Sequence, residues 1–195
     1  MSRSTISENL RLFERRHSPR SLTPAAVAIV LMLNDGITSV PIFQRPLNMS
    51  RHAGQMALPG GKVHAGETVD ECAIREVYEE LGVALDERDV LGRLDDFDTE
   101  SGFRITPVVI WSQADITDLK PSSSEVAKLF VISTPELRET VAAASRRAPH
   151  DFSLKFRRVE VFSPTAAILY QFSEVALDGR SCRVADFYQP PFTHR

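Results

Sequence analysis

Gly61-Lys62-Val63-His64-Ala65-Gly66-Glu67-Thr68-Val69-Asp70-Glu71-Cys72-Ala73-Ile74-Arg75-Glu76-Val77-Tyr78-Glu79-Glu80-Leu81-Gly82-Val83 is the stretch that decides the fold. No Gly or Pro interrupts residues 67–81, and Val69, Cys72, Ala73, Val77 and Leu81 recur with helical spacing. The spacing predicts a helix of about four turns, stopped by Gly82. Glu76, Glu79 and Glu80 stand at i, i+3 and i+4, so their carboxylates project from one face. Like charges at that spacing destabilise a bare helix, and Arg75 can reach Glu79 one turn on. One arginine cannot neutralise three glutamates. A hard cation that prefers oxygen ligands, such as Mg²⁺ or Mn²⁺, would resolve the repulsion.

A glutamate triplet by itself is most often a solvated helix face. Here the helix follows Pro59-Gly60-Gly61, where backbone can approach a ligand closely. Its other face is apolar, which turns the glutamates toward whatever the preceding loop and the strands enclose.

Outward from this segment, Ala25–Leu33 is a continuous apolar run that ends at Asn34-Asp35-Gly36, a hairpin signal, and Ile37–Gln44 reads as the returning strand. Residues 46–66 carry loop chemistry, with a short strand at Met56–Leu58. Val90–Leu94, Phe103–Trp111, Lys128–Ile132 and Arg158–Phe162 read as further strands. Thr134-Pro135 opens a helix to Ala144, residues 145–157 read as a loop, and Thr165–Leu177 reads as an amphipathic helix closed by Gly179. The irregular alternation of hairpins and helices favours α+β or mixed α/β over a doubly wound parallel sheet. Residues 1–22 are expected to form an N-terminal amphipathic extension, with Ile6, Leu10 and Phe13 on one side, and residues 23–195 a single domain.

The chain has 195 residues, 43% of them hydrophobic and 25% charged, which fits one folded domain rather than a disordered or fibrous chain. Its 23 basic and 26 acidic residues give a net charge of −3, which excludes a broadly basic nucleic-acid binder. The apolar run is too short to cross a bilayer, and the Ser/Arg-rich start lacks the apolar core of a secretory signal. Cys72 and Cys182 build neither a disulfide framework nor a zinc spacing. A cytoplasmic location is expected.

The segment 61–83 resembles the Nudix box, with Gly61, Glu67, Arg75, Glu76, Val77, Glu79, Glu80, Gly82 and Val83 at its defined positions. The resemblance implies an α/β/α sandwich with a mixed sheet, the box forming loop–helix–loop. It also implies Mg²⁺- or Mn²⁺-dependent hydrolysis of a nucleoside diphosphate linked to another group. By position, Glu76, Glu79 and Glu80 would ligate metal. Glu67 and Arg75 would brace the helix, Glu67 also reaching metal through water, and Gly61 would offer its backbone. Glu125, in Ser-Glu-Val before the next strand, is a candidate extra ligand or general base, with Glu100 a second choice.

Upstream, Arg45, Gly54, Pro59, Gly60 and Gly61 are similar to the element that precedes the box in the coenzyme A pyrophosphatase branch. Residues 91–96 and 99–108 are similar to that branch as well. Pro46 and Leu58 depart from it, and Ser50 stands where a second arginine belongs, with Arg51 beside it. Arg45, Arg51, Gly60 and Gly61 are thus candidate substrate-binding residues, arginine forks being suited to phosphate. His52 and His64 flank them. The basic stretch Arg146, Arg147, Lys155, Arg157 and Arg158 could meet a further phosphate or simply be solvated. The expected partner is a small nucleotide, probed first as coenzyme A or an acyl-CoA. Alternatives are ADP-ribose, a dinucleoside polyphosphate or a damaged nucleotide, or a non-catalytic nucleotide-binding module. No nucleic-acid or membrane partner is expected, and a homodimer is left open.

Overall fold

The computed structural model describes residues 2–49, 52–144 and 152–191. Its centre is β1 (Thr23–Asn34), which runs parallel to β7 (Phe103–Asp115) from Thr23 opposite Phe103 to Leu31 opposite Trp111. The Asn34-Asp35-Gly36 turn, with Asp35 and Gly36 at φ +49° and +76°, returns the chain into β2 (Ile37–Gln44). Beyond Ser39 that strand parts from β1. The wedge is filled by β3 (Met56–Ala57), paired with β2, and β4 (Gly60–Lys62), paired with Ala25–Val27 of β1. β5 (Val90–Arg93) and β6 (Phe97–Asp98) lie antiparallel to β7, and β8 (Lys128–Ser133) antiparallel to β2. The sheet is therefore mixed.

Both faces of β1 are covered, which is why its sequence reads as unbroken apolar residues rather than an alternation. Ala26, Ala28, Val30 and Met32 pack on Cys72, Ala73 and Val77 of α2 (Val69–Leu81). Ile29 and Leu31 face the opposite layer, built from α1 (Arg3–Leu12), α3 (Thr134–Ala144) and α4 (Thr165–Phe172). Each large side chain buried in these layers contributes about 1.5–3 kcal/mol by leaving water.

Several elements differ from their sequence reading. Ser133, not Thr134, caps α3, its hydroxyl accepting from the Glu136 amide at 3.3 Å. A small hairpin of β9 (Ser153–Lys155) and β10 (Glu160–Phe162) occupies part of the stretch read as a loop. α4 continues as a π-helical turn over Ser173–Leu177, and it is buried nearly all round rather than amphipathic, because α1, β9 and the segment around Val184 enclose it.

Asp95, Asp96 and Asp98 tie down the segments before β1 and after α4. Asp96 pairs with Arg15 and accepts from the Ser18 amide at 3.1 Å and the Thr106 hydroxyl at 2.6 Å. Asp95 accepts from the Arg16 amide at 2.7 Å, from Gln171 at 2.8 Å and from Arg183 at 3.0 Å. Ile6 and Leu10 of α1 are buried in the core.

Candidate active site

α2 is held at both ends by local chemistry. Thr68 accepts from the Glu71 amide at 3.2 Å, and Glu71 returns a bond to the Thr68 amide at 2.7 Å. Gly82 closes the helix at φ +71°, where an added Cβ would also meet the Lys120 backbone at 2.9 Å. Asp70 forks onto Arg93 at 2.7 and 2.8 Å and fastens the first turn to β5.

Arg75 gathers three of the box carboxylates. It binds Glu67 at 2.8 and 3.2 Å, Glu76 at 2.7 Å and Glu79 at 3.0 Å, and donates to the Lys62 carbonyl at 3.2 Å. Its hydrogen bonds bring the Glu67 carboxyl down to about 2, helped by the His64 amide. Glu80 lies apart from this set. Its side chain is buried, accepts from the Gly60 amide at 3.0 Å and has Arg45 at 3.5 Å. Burial pushes its carboxyl up to about 8, against the pull of Arg45 and the Gly60 amide. Glu76 is raised for the same first reason. Glu79 remains half-exposed.

The glycines of Pro59-Gly60-Gly61 allow two close approaches, of backbone at Gly60 and of a carboxylate at Gly61. A side chain at Gly60 would strike the Ala26 carbonyl and Val27, and one at Gly61 would overlap the Glu76 carboxylate. Thus β4 lies flush against β1 while Glu76 lies over it. Glu125 joins from another direction. Its loop docks on the end of α2 through Lys120 amide to Leu81 carbonyl at 2.8 Å and Ser122 amide to Glu80 carbonyl at 2.9 Å. The charge of Glu125 is felt by both Glu76 and Glu80. Glu100, by contrast, sits at the turn into β7, its amide held by Gln189.

The structure therefore brings Glu67, Arg75, Glu76, Glu79, Glu80, Glu125, Gly60, Gly61 and Arg45 together. Arg51, like Ser50 and residues 146–151 of the basic stretch, lies outside the described residues. Of the rest of that stretch, Lys155 pairs with Glu160 at 3.4 Å. Beside Gly60, Gly61 and Arg45 a chamber of about 410 Å³ opens, lined also by His52, Lys62 and Phe103. Sequence reading missed its C-terminal wall of Phe162, Ser163 and Ile168, because nothing local signals that α4 returns to the glycine loop.

Among the described residues no three acidic, His or Cys side chains converge as a preformed ligand set. The guanidinium groups sit among the carboxylates instead. The donor chemistry still fits a hard cation. Four carboxylates, from Glu67, Glu76, Glu79 and Glu80, face two arginines, and one of the four, Glu80, is buried. The space cleared by the missing Cβ of Gly61 is taken by a carboxylate.

Comparison with known proteins agrees with this geometry. Residues 22–167 match the model of the NUDIX domain family. Nudix hydrolase 3 of Caenorhabditis elegans is 34% identical over 115 residues, 57% of this chain and 48% of that protein, so the chain spans about half of that relative's length. A protein of Pectobacterium atrosepticum named uncharacterized Nudix hydrolase NudL is 32% identical over 171 residues, covering 80% of this chain and 86% of that one. A NUDIX hydrolase structure from Alicyclobacillus acidocaldarius shares the fold at a TM-score of 0.55 and 14% identity, covering 84% of this chain and 95% of that one. A MutT/nudix family structure from Enterococcus faecalis does so at 0.51 and 17%, covering 73% and 51%. No helix among the described residues is long and apolar enough to cross a membrane. Box, fold and family match agree: the chain belongs to the Nudix family of hydrolases, enzymes that act on small nucleotide substrates with divalent cations such as Mg²⁺ or Mn²⁺.

Proposed function

We propose that this Nudix hydrolase is a Mg²⁺- or Mn²⁺-dependent pyrophosphohydrolase of coenzyme A or its thioesters. It would release adenosine 3′,5′-bisphosphate and a 4′-phosphopantetheine product. The observation that carries the reading is the junction at Gly60–Gly61. There the box carboxylates meet the upstream Arg45…Gly54…Pro59-Gly60-Gly61 element, which resembles the coenzyme A branch.

Glu76, Glu79 and Glu80 would hold the cation, with Glu67 joining through water and the Gly61 carbonyl beside them. A bound divalent ion supplies charge neutralisation on the phosphoanhydride oxygens and an acidified water. The chain's own groups do the rest. Arg75 fixes the rotamers of three glutamates at once, so their positions are set before substrate arrives. Arg45, near the ring of Phe43 and beside Glu80, is placed to receive phosphate oxygens. Glu125, whose charge reaches Glu76 and Glu80, would take the proton from the attacking water.

The test is incubation with coenzyme A and Mn²⁺ or Mg²⁺ at neutral to alkaline pH, with products identified by mass. Release of phosphopantetheine supports the reading, and its absence under all these conditions removes it. Ser50, at the place of the second arginine, favours a second reading in which another nucleoside diphosphate derivative is cleaved. ADP-ribose and a dinucleoside polyphosphate in the same assay separate the two.

A further inference from the structure

We infer that the chamber beside Gly60–Gly61 receives the aliphatic arm of a phosphate-bearing substrate and not its nucleobase. The inference rests on reading the neighbouring carboxylates and Arg45 as the phosphoanhydride site.

The wall of the chamber is largely apolar, with Met56, Phe103, Ile105, Phe162 and Ile168 among its residues. Several of its polar groups are already hydrogen-bonded within the protein. Thr165 donates to the Met56 carbonyl at 3.1 Å, and Gln44 takes the Gly54 carbonyl at 3.1 Å. Thr99 is bonded to Ser101 at 3.0 Å and accepts from the Phe103 amide at 2.9 Å. The amide of Gln189 is used at both ends, by the Glu100 N–H at 3.1 Å and the Asp98 carbonyl at 2.9 Å. Glu160 accepts from Ser153 at 2.6 Å.

Recognition of a base edge needs donors and acceptors left unpaired until the ligand arrives, since discrimination comes from the polar groups a wrong ligand would strand. Among the wall residues, Ser163 has its hydroxyl buried without a hydrogen-bond partner. An aliphatic chain makes no such demand, and it suits a wall built largely of Met56, Phe103, Ile105, Phe162 and Ile168. The charge is arranged to match. Arg45, His52 and Lys62 line the same chamber, and Arg45 links it to Glu80. An anionic head at the glycine loop with an apolar tail in the chamber satisfies both.

The experiment is calorimetric titration of the whole protein, at fixed Mg²⁺, with n-alkyl phosphates from ethyl to octyl and with AMP. Affinity should rise about fourfold per added methylene until the chamber is full, the increment expected for apolar burial. Met56→Trp and Ile105→Trp, at two partly buried positions on the wall, should flatten that rise while leaving ethyl phosphate affinity unchanged within about twofold. Melting curves check that each variant folds, and the wild-type rise decides the matter if neither does. A flat wild-type series overturns the inference. So does a rise that survives in both folded variants, or a loss of AMP binding in them with the alkyl series intact. The series needs no turnover: a rise without hydrolysis of coenzyme A would sink the substrate reading and leave this one standing.

Discussion

The Glu76 carboxylate occupies the space that a side chain at Gly61 would fill. This contact joins β4 to α2 at the point where the chemistry is placed. Gly61 lies outside the left-handed region, so alanine there meets no backbone strain, and the atom it would strike is the far end of a flexible side chain. Gly61→Ala should melt within about 3 °C of the wild type. Glu76 must swing away, however, and turnover should fall about 10²-fold, the scale set by displacing a reacting group by an ångström. Equal activity would show that Glu76 need not lie over β4.

Glu80 is a buried carboxylate with one arginine 3.5 Å away. Glu80→Gln keeps an acceptor for the Gly60 amide and removes a carboxyl that burial already disfavours in its charged form. The metal-free variant should therefore be as stable as the wild type or more so. It should gain far less melting temperature from saturating Mn²⁺, which gives a protein with an intact site about 2.7 kcal/mol at a hundredfold excess over Kd. Thermal shift with and without Mn²⁺ measures both, and an undiminished Mn²⁺ shift counts against Glu80 as a ligand.

Arg75 acts through its fork. Arg75→Lys keeps the charge but cannot span Glu67, Glu76 and Glu79 together. The expected loss is about 10–100-fold in kcat with KM for the nucleotide little changed. A rise in KM alone would place Arg75 on the substrate instead.

Most of α2 and its surroundings was legible in the sequence. Apolar spacing, Gly82 and the Thr68…Glu71 pair each have a local physical cause, and the Asn34-Asp35-Gly36 turn is equally local. β4 was not legible, since Gly-Gly-Lys has no strand propensity and pairs only because β1 offers an open edge where β2 leaves it. α4 read as amphipathic because the elements that cover its outer side lie far away in sequence. Arg45 read as a substrate residue, and its partnership with Glu80, thirty-five positions on, depends on the β2–α2 packing. The Asp-rich connection after β5 gave no hint that Asp95 and Asp96 clamp the segments before β1 and after α4.

That clamp carries a pH signature. Burial raises the Asp96 carboxyl, but the Thr106 hydroxyl, the Ser18 amide and Arg15 outweigh it and hold the group below the ordinary aspartate value. A lowered carboxyl stabilises the folded state fully above the unfolded value of about 4, and that stability is lost as pH falls through the folded value. Asp96→Asn should cost about 2–4 kcal/mol at neutral pH. The gap from wild type should narrow as pH drops below about 4. Urea unfolding across pH tests this, and a gap that widens in acid would contradict it.

The central claim is that the glutamate face of α2 is a divalent-cation hydrolytic centre. Glu79 tests it most directly, because its carboxylate is half-exposed and can change without disturbing the core. The decisive measurement is nucleotide hydrolysis as a function of Mg²⁺ and Mn²⁺ for wild type and Glu79→Gln, beside their melting curves. Cation-dependent turnover in the wild type, abolished in a variant that melts normally, is the predicted result. Turnover without added cation in chelator, or full activity in Glu79→Gln, would contradict the account.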